Sequence, residues 1–301
     1  MEIKKFLITG GTGFIGSNLG SELMKQGHFI TVITRSPEKY KEEESKNQRF
    51  ISWDANLVPE MEKTDVVVNL AGEILFGQRW TDSVKEKIYN SRINSTRKLV
   101  EAIKQAESKP RLLVSASAVG IYGDSGEDEL DESSPLGDDF LAKVCIDWEK
   151  EAQKASAYNV RVVNPRFGIA LEEYGGMLEQ MKLPFSFFVG GSLGSGKQYV
   201  SWIHMRDLIR TIIYPVENEK IKGVYNATSP NPERMDKLAK AMGSVMNRPS
   251  IFRVPEFALK LVLGEAAQPA LTSIKVQPRV LLENGFKFEY DDLREALADI
   301  L

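Results

Sequence analysis

The chain has 301 residues, 42% of them hydrophobic and 27% charged, which supplies apolar material for one large α/β core or for a core with a smaller lobe. Its formal net charge is −3 and no long basic stripe appears, which argues against nucleic acid as a partner and against a polybasic membrane segment. The one cysteine, Cys145, can neither close an internal disulfide nor build a thiolate zinc site, so a reducing compartment, the cytoplasm, is expected and no metal site.

Lys4 and Lys5 lead into only Phe6, Leu7 and Ile8 before Thr9 and Gly10, a run too short for a signal-peptide core or a membrane span. The start therefore reads as a first strand, residues 3–9. Phe14, Ile15, Leu19, Leu23 and Met24 then recur at helical spacing. Further β-rich runs fall at 29–34, 49–53 and 65–70, with the polar stretch 37–48 between the first two and its charge run at 41–46 expected as a solvated loop. A long helix is expected over roughly 80–107 and a buried strand at 112–115. Strands alternating with helices imply right-handed crossovers and a parallel sheet covered on both faces. The acidic, turn-rich segment 123–139 is expected to form the lip of an active site, before a helix over about 140–155 and a strand at 160–164. Beyond Arg166 the pattern is less regular, with glycines at 190–196 and helical patches at 205–216, 233–246, 256–263 and about 291–300.

Thr9-Gly10-Gly11-Thr12-Gly13-Phe14-Ile15-Gly16 sits between the first strand and the first helix. There glycine lets backbone N–H groups approach a diphosphate while the helix N-terminus presents its positive end. The motif is weak alone, but strand, turn and helix are the context it demands. The expected fold is thus a Rossmann doubly wound parallel sheet over residues 1–165, with later strands returning from about 199–227. A smaller carboxy-terminal α/β lobe is expected over 166–301. An NAD-selective site places Asp or Glu about 20 residues beyond the turn; here the second strand ends Thr34-Arg35-Ser36. Arg35 suits a 2′-phosphate through charge-assisted, bidentate bonds, so NADP(H) is expected, although Glu38 nearby leaves the local charge open.

These residues resemble the short-chain dehydrogenase/reductase superfamily in its extended, sugar-nucleotide epimerase-like form, over nearly the whole chain. The resemblance rests on the glycine turn, Asn69-Leu70-Ala71-Gly72, the run Val114-Ser115-Ala116-Ser117-Ala118 through Tyr122-Gly123, Pro165-Arg166-Phe167-Gly168, and Trp202-Ile203-His204-Met205-Arg206-Asp207. More narrowly, Gly137-Asp138-Asp139-Phe140 with Trp148-Glu149, and the tail from Val254, look like the atypical branch named only as epimerase-family proteins. The segment from about 250 is similar to that branch's appended small domain. The resemblance implies that Gly10, Thr12, Gly13, Phe14 and Ile15 lie under the diphosphate, that Thr34 and Arg35 meet the adenosine end, and that Leu70, Ala71 and Gly72 line the adenine-ribose wall. Glu73 and Arg92 are charged groups of the same crevice, with Arg92 reaching cofactor phosphate or ribose unless it is a surface helix charge.

Hydride chemistry in this superfamily rests on a Tyr-x-x-x-Lys pair on a helix, where the ammonium beside the phenol lowers its pKa. None of the nine tyrosines has a lysine four residues later. If Glu149 marks the usual register, Leu141 and Cys145 occupy the two positions, and neither trades a proton in the required way. Ser117, with Ser115 as the alternative, matches the serine that orients the substrate. Tyr122 and Lys143 are candidate substitute groups, Tyr122 as catalytic acid or as a packed aromatic. Arg166 could clamp an anionic substrate or the cofactor. His204 falls near the substrate cleft, yet it and Asp207 also suit the start of a helix.

Two motifs are decoys. Gly191-Ser192-Leu193-Gly194-Ser195-Gly196-Lys197 begins like a P-loop, but Gln198 replaces the magnesium-binding hydroxyl and a strand-like run follows. Gly190 to Gly194 matches a nucleophile elbow, but no Asp or Glu lies between Ser192 and His204. The expectation is hydride transfer between NADP(H) and a secondary alcohol or ketone of a small-molecule substrate, by a monomer or homodimer. The rival is a non-catalytic NADP(H)-binding sensor or interaction protein.

Overall fold

The computed structural model describes residues 2–75 and 77–301. Seven strands, β1 (Lys5–Thr9), β2 (Phe29–Thr34), β3 (Gln48–Ser52), β4 (Val66–Asn69), β5 (Leu112–Ser115), β6 (Arg161–Phe167) and β7 (Gly223–Ala227), pair in parallel in the order β7-β6-β5-β4-β1-β2-β3. A two-residue rung, Ser117–Ala118, continues beyond β5 alongside β6. The order reverses between β1 and β4, so a crevice opens above their carboxyl ends, the usual ligand position in such sheets.

Period-two alternation splits the core into two layers. Phe6 and Ile8 point to one face of β1, where they meet Leu19 and Leu23 of α1 (Phe14–Lys25). Leu7 points to the other face, against Leu99 and Ile103 of α2 (Asp82–Gln105) and Ala152 of α3 (Phe140–Gln153). Thr81 caps α2 and Asp139 caps α3, each side chain accepting an N–H of the first turn. β6 crosses the expected boundary at residue 165, and β7 returns the chain to the sheet after the second lobe has begun.

That lobe has its own core. Met181 and Phe185 of α4 (Gly176–Ser186) pack with Trp202, with Leu238 and Met242 of α6 (Met235–Met246), and with Leu297 of α8 (Leu293–Ile300). Between α4 and α6 in the chain, α5 (Met205–Glu217) turns Leu208 and Ile212 back into the α1 layer. The glycine-rich decoy forms a short strand, Gly191–Leu193, and the strand Tyr199–Val200 follows where a P-loop needs a helix.

Candidate functional site

The glycine turn closes through Gly13 N–H to Gly10 O at 3.0 Å. Gly10 has φ of +66°, and a Cβ there would stand 2.6 Å from the Leu70 carbonyl oxygen. At Gly16 a Cβ would come within 2.2 Å of Gly10 O, so only glycine lets α1 start this close to β1. Gly13 caps α1 with no side-chain hydrogen bond, the first turn holds no acidic residue, and Thr12 and Gly13 are exposed. The first amides of α1 are therefore free to receive an anion, and the residues present fit a diphosphate. The Phe14 ring packs on Gly175, where a Cβ would fall 2.5 Å from it.

Beside this turn, Thr34 is buried at the end of β2 while Arg35 is exposed. Among the described residues Arg35 forms no ion pair, with Glu38 or any other carboxylate. A guanidinium without a partner at the tip of the second strand is available to a 2′-phosphate.

Across the crevice a buried polar pin fixes the exit of β4. Thr9 donates to Asn69 Oδ1 at 2.7 Å, and Asn69 Nδ2 donates to Thr96 at 2.8 Å and Ser115 at 3.0 Å. The Ala71 amide closes onto Thr9 Oγ1 at 3.2 Å, and Trp148 Nε1 donates to Thr96 at 2.9 Å. These bonds tie β1, β4, β5, α2 and α3 together at the point where Leu70, Ala71 and Gly72 leave the sheet. Arg92 lies beneath this loop, donating to Ile88 O at 3.0 Å and Glu73 O at 3.2 Å, with its guanidinium 5.3 Å from the Trp148 ring centre. A Cβ on Gly72 would sit 2.9 Å from Arg92 Cζ. Burial lowers the Arg92 pKa, the Cys145 and Glu73 charges opposing it. Arg92 thus braces the loop backbone from below. Thr96 was missed in the sequence, where it is one polar residue among many on a long helix.

The expected catalytic residues form one closed chain of bonds. Ser117 donates to Glu149 Oε1 at 2.6 Å, and Glu149 accepts Arg166 through Nε at 2.9 Å and Nη2 at 3.0 Å. Arg166 Nη1 donates to the Tyr122 hydroxyl at 2.9 Å, and Tyr122 donates to Asn226 Oδ1 at 2.7 Å. Ser117 is 2%, Arg166 4% and Tyr122 5% exposed, so all three are buried. Burial works against the Arg166 charge, but the bonds to Glu149 more than offset it and raise its pKa. Burial also raises the Tyr122 phenol, against the opposing pull of Arg166. The Arg166 fork is filled by Glu149 and the Tyr122 hydroxyl hydrogen is engaged by Asn226.

Leu141 and Cys145 do lie on α3 facing this floor. A Cβ on Gly120 would meet Leu141 Cβ at 3.7 Å, and Leu141 packs against the cluster of Trp80, Ile88 and Ala266. Cys145 packs with Val119, Ile121, Tyr122 and Val276, and burial pushes its thiol up to about 11. The carboxy-terminal segment bears on the same helix, Gln268 Nε2 donating to Asp139 Oδ2 at 2.9 Å. Lys143 is exposed.

His204 caps α5, its Nδ1 accepting the Arg206 amide at 3.1 Å, and its ring stacks on Tyr290 at 3.9 Å. Nε2 lies 3.3 Å from an Asp299 carboxylate oxygen but too poorly aligned for a hydrogen bond. Burial lowers the His204 pKa, and the ring is 2% exposed. His204, stacked on Tyr290, and Asp207, whose carboxylate accepts the Glu289 and Tyr290 amides, hold the carboxy-terminal chain. Among the described residues no helix is long and apolar enough to cross a membrane, and no cluster of three His, Cys, Asp or Glu side chains could hold a metal.

The chain is similar to known proteins over nearly its whole length. Residues 6–228 match the NAD dependent epimerase/dehydratase family, and residues 254–300 match a domain of unknown function, DUF1731. The epimerase family protein YfhF of Bacillus subtilis is 41% identical over 98% of this chain and 97% of its own length. The Arabidopsis thaliana epimerase family protein SDR39U1 homolog, described as chloroplastic, is 43% identical over 98% of this chain and 86% of its own. The crystal structure of human epimerase family protein SDR39U1 (isoform 2) with NADPH superposes with a TM-score of 0.89 at 32% identity, covering 98% of each chain.

Proposed function

The chain belongs to the NAD dependent epimerase/dehydratase family, and from that membership we propose that it is an NADP(H)-dependent oxidoreductase acting on a secondary alcohol or ketone of a small molecule. The observation that carries this reading is the open N-terminus of α1 above the glycine turn, with a guanidinium at the tip of the neighbouring strand that is unpaired among the described residues. The NADPH in the human relative's structure supports the choice of cofactor.

In this reading the amides near Thr12, Gly13, Phe14 and Ile15 hold the diphosphate, Thr34 and Arg35 hold the adenosine 2′-phosphate, and Leu70, Ala71, Gly72 and Glu73 wall the ribose and adenine. Arg92 keeps that wall in place. When bound, the nicotinamide supplies or takes up a hydride. Leu141 and Cys145 cannot trade the proton that accompanies the hydride, so that proton would be exchanged with solvent, taken up in reduction and released in oxidation. Ser117, with its hydroxyl hydrogen engaged by Glu149, offers only lone pairs to a substrate hydroxyl. The cytoplasm remains the proposed location, on the strength of the lone free thiol.

A second reading, an NADP(H)-binding sensor that turns nothing over, is favoured by one observation: Ser117, Tyr122 and Arg166 are buried, Ser117 and Arg166 both bonded to Glu149 and Arg166 to Tyr122. Titration with NADPH, followed by NADPH consumption with a panel of ketones and aldehydes, separates them. Binding with consumption of at least one compound supports the oxidoreductase. Binding with no consumption by any compound supports the sensor, and no binding removes both.

A further inference from the structure

Four half-buried apolar side chains gather beside the crevice floor. Leu75 lies on the loop after the adenine wall, Phe140 and Leu141 open α3, and Leu263 ends α7 (Glu256–Leu263). All four pack against the buried cluster of Trp80, Ile88 and Ala266. The Trp80 and Phe140 rings meet edge to face at 5.6 Å, and Trp80 Nε1, the one polar atom of these side chains, donates to Leu75 O at 3.0 Å. The surface left to a ligand is therefore hydrocarbon. Leu141 holds the position that the superfamily resemblance gives to the proton-trading tyrosine, so a carbonyl compound held for hydride transfer lies against this surface.

The cations around it are already engaged. Arg79 donates to Leu261 O at 3.2 Å, Lys85 pairs with Glu265, Arg92 braces the loop and Arg166 is filled by Glu149. The exposed lysines nearest in sequence point elsewhere: Lys143 stands about 200° round α3 from Leu141, and Lys87 about 100° round α2 from Ile88. The lip carries the opposite sign. Residues 123–139 hold eight carboxylates and no lysine or arginine, and among the described residues only Glu127, Glu129 and Asp131 have ion-pair partners, Arg234, Lys275 and Arg279. The two ends of the lip are pinched together, with the Gly137 amide donating to Ile121 O at 2.8 Å and a Cβ on Gly137 only 2.8 Å from Gly123 N. That pinch holds the exposed Asp138 one turn before Leu141.

We propose that the substrate is an uncharged, apolar ketone or secondary alcohol whose hydrocarbon part lies on Leu75, Phe140, Leu141 and Leu263, and that the acidic lip turns away carboxylated and phosphorylated compounds, sugar nucleotides among them. An anion entering here leaves water without gaining a counter-charge, and the field of the lip adds to that cost. The proposal rests on the oxidoreductase reading for the carbonyl, but not for the apolar subsite.

The test uses matched pairs with NADPH and the full-length protein: acetophenone against para-acetylbenzoate, and cyclohexanone against oxocyclohexanecarboxylate. The neutral member of each pair is expected to have a kcat/KM at least about tenfold higher. Added salt should narrow that gap, and Asp138→Lys should narrow it by at least about threefold at low salt. Leu141→Arg, which sets a cation on the surface, should reverse the order within each pair. Equal kcat/KM within the pairs, or micromolar binding of UDP-glucose to the protein loaded with NADP+, overturns the proposal while leaving the oxidoreductase reading in place. With no consumption of any member that reading falls instead, and saturation-transfer NMR of the same pairs on the NADP+-loaded protein decides the subsite. Binding of the neutral members alone supports it; equal binding of the carboxylates, or binding of neither, overturns it.

Discussion

Ser117 donates a hydrogen bond to Glu149 Oε1 at 2.6 Å, and the same carboxylate is gripped on both oxygens by Arg166. Residues that the sequence suggests for substrate work are thus tied to each other under the crevice. Removing one charge from this pair leaves the other buried without a counter-charge. Glu149→Gln is expected to lower unfolding free energy by about 3–5 kcal/mol. Glu149→Leu combined with Arg166→Met should lose much less than the sum of the two single changes. Urea unfolding of the four proteins of that cycle checks it, and additive losses would mean the pair is not coupled.

Tyr122 offers a sharper contrast, because its two roles differ in what they take from the protein. As a packed phenol bonded to Asn226 and Arg166, its replacement by Phe should lower stability by about 1–3 kcal/mol, because buried partners lose a bond. Turnover of any active substrate should stay within a few-fold of the parent. A loss of about 100-fold or more in kcat with stability intact would restore it as the acid.

Two glycines of α1 should respond in opposite directions. Gly16→Ala drives a methyl into the Gly10 carbonyl at 2.2 Å and is expected to abolish NADPH binding and destabilise the fold. Gly20 has no heavy atom within 4 Å of its virtual Cβ, so Gly20→Ala should stabilise by about 0.5–1 kcal/mol, through helix propensity, with cofactor affinity unchanged. Thermal unfolding with and without NADPH reads both.

Cys145 is buried, and its thiol is raised from the ordinary 9.0 to about 11. A folded pKa above the unfolded one means that the stability from keeping the thiol neutral is complete below pH 9.0 and lost as pH rises towards about 11. Relative to Cys145→Val, the parent should lose on the order of 2 kcal/mol between about pH 8 and 10.5. Native protein at pH 8 should resist iodoacetamide and react only once unfolded. Parallel pH dependence in the two proteins would contradict this.

The strands and helices were largely legible because they rest on local patterns. The helical patch at 205–216 is α5, Met205–Glu217, and the long helix is Asp82–Gln105. α4 escaped because Gly175, Gly176 and Pro184 read as breakers, although Met177, Leu178, Met181 and Phe185 mark its buried side. The glycine turn was legible for the same reason: eight adjacent residues specify it. The floor of the crevice was not, because Ser117 finds its partner 32 residues away and Tyr122 finds Asn226 104 residues away. Which hydroxyl is free and which is bonded is decided by tertiary packing, and no spacing rule carries it.

The most direct measurement is calorimetric titration of NADPH and of NADH into the parent protein and into Arg35→Asp. The parent is expected to prefer NADPH, and the substitution to weaken NADPH binding by about 1–3 kcal/mol while leaving NADH nearly unchanged. Equal losses for the two dinucleotides, or a parent that binds neither, would contradict a diphosphate on the α1 amides with a 2′-phosphate on Arg35.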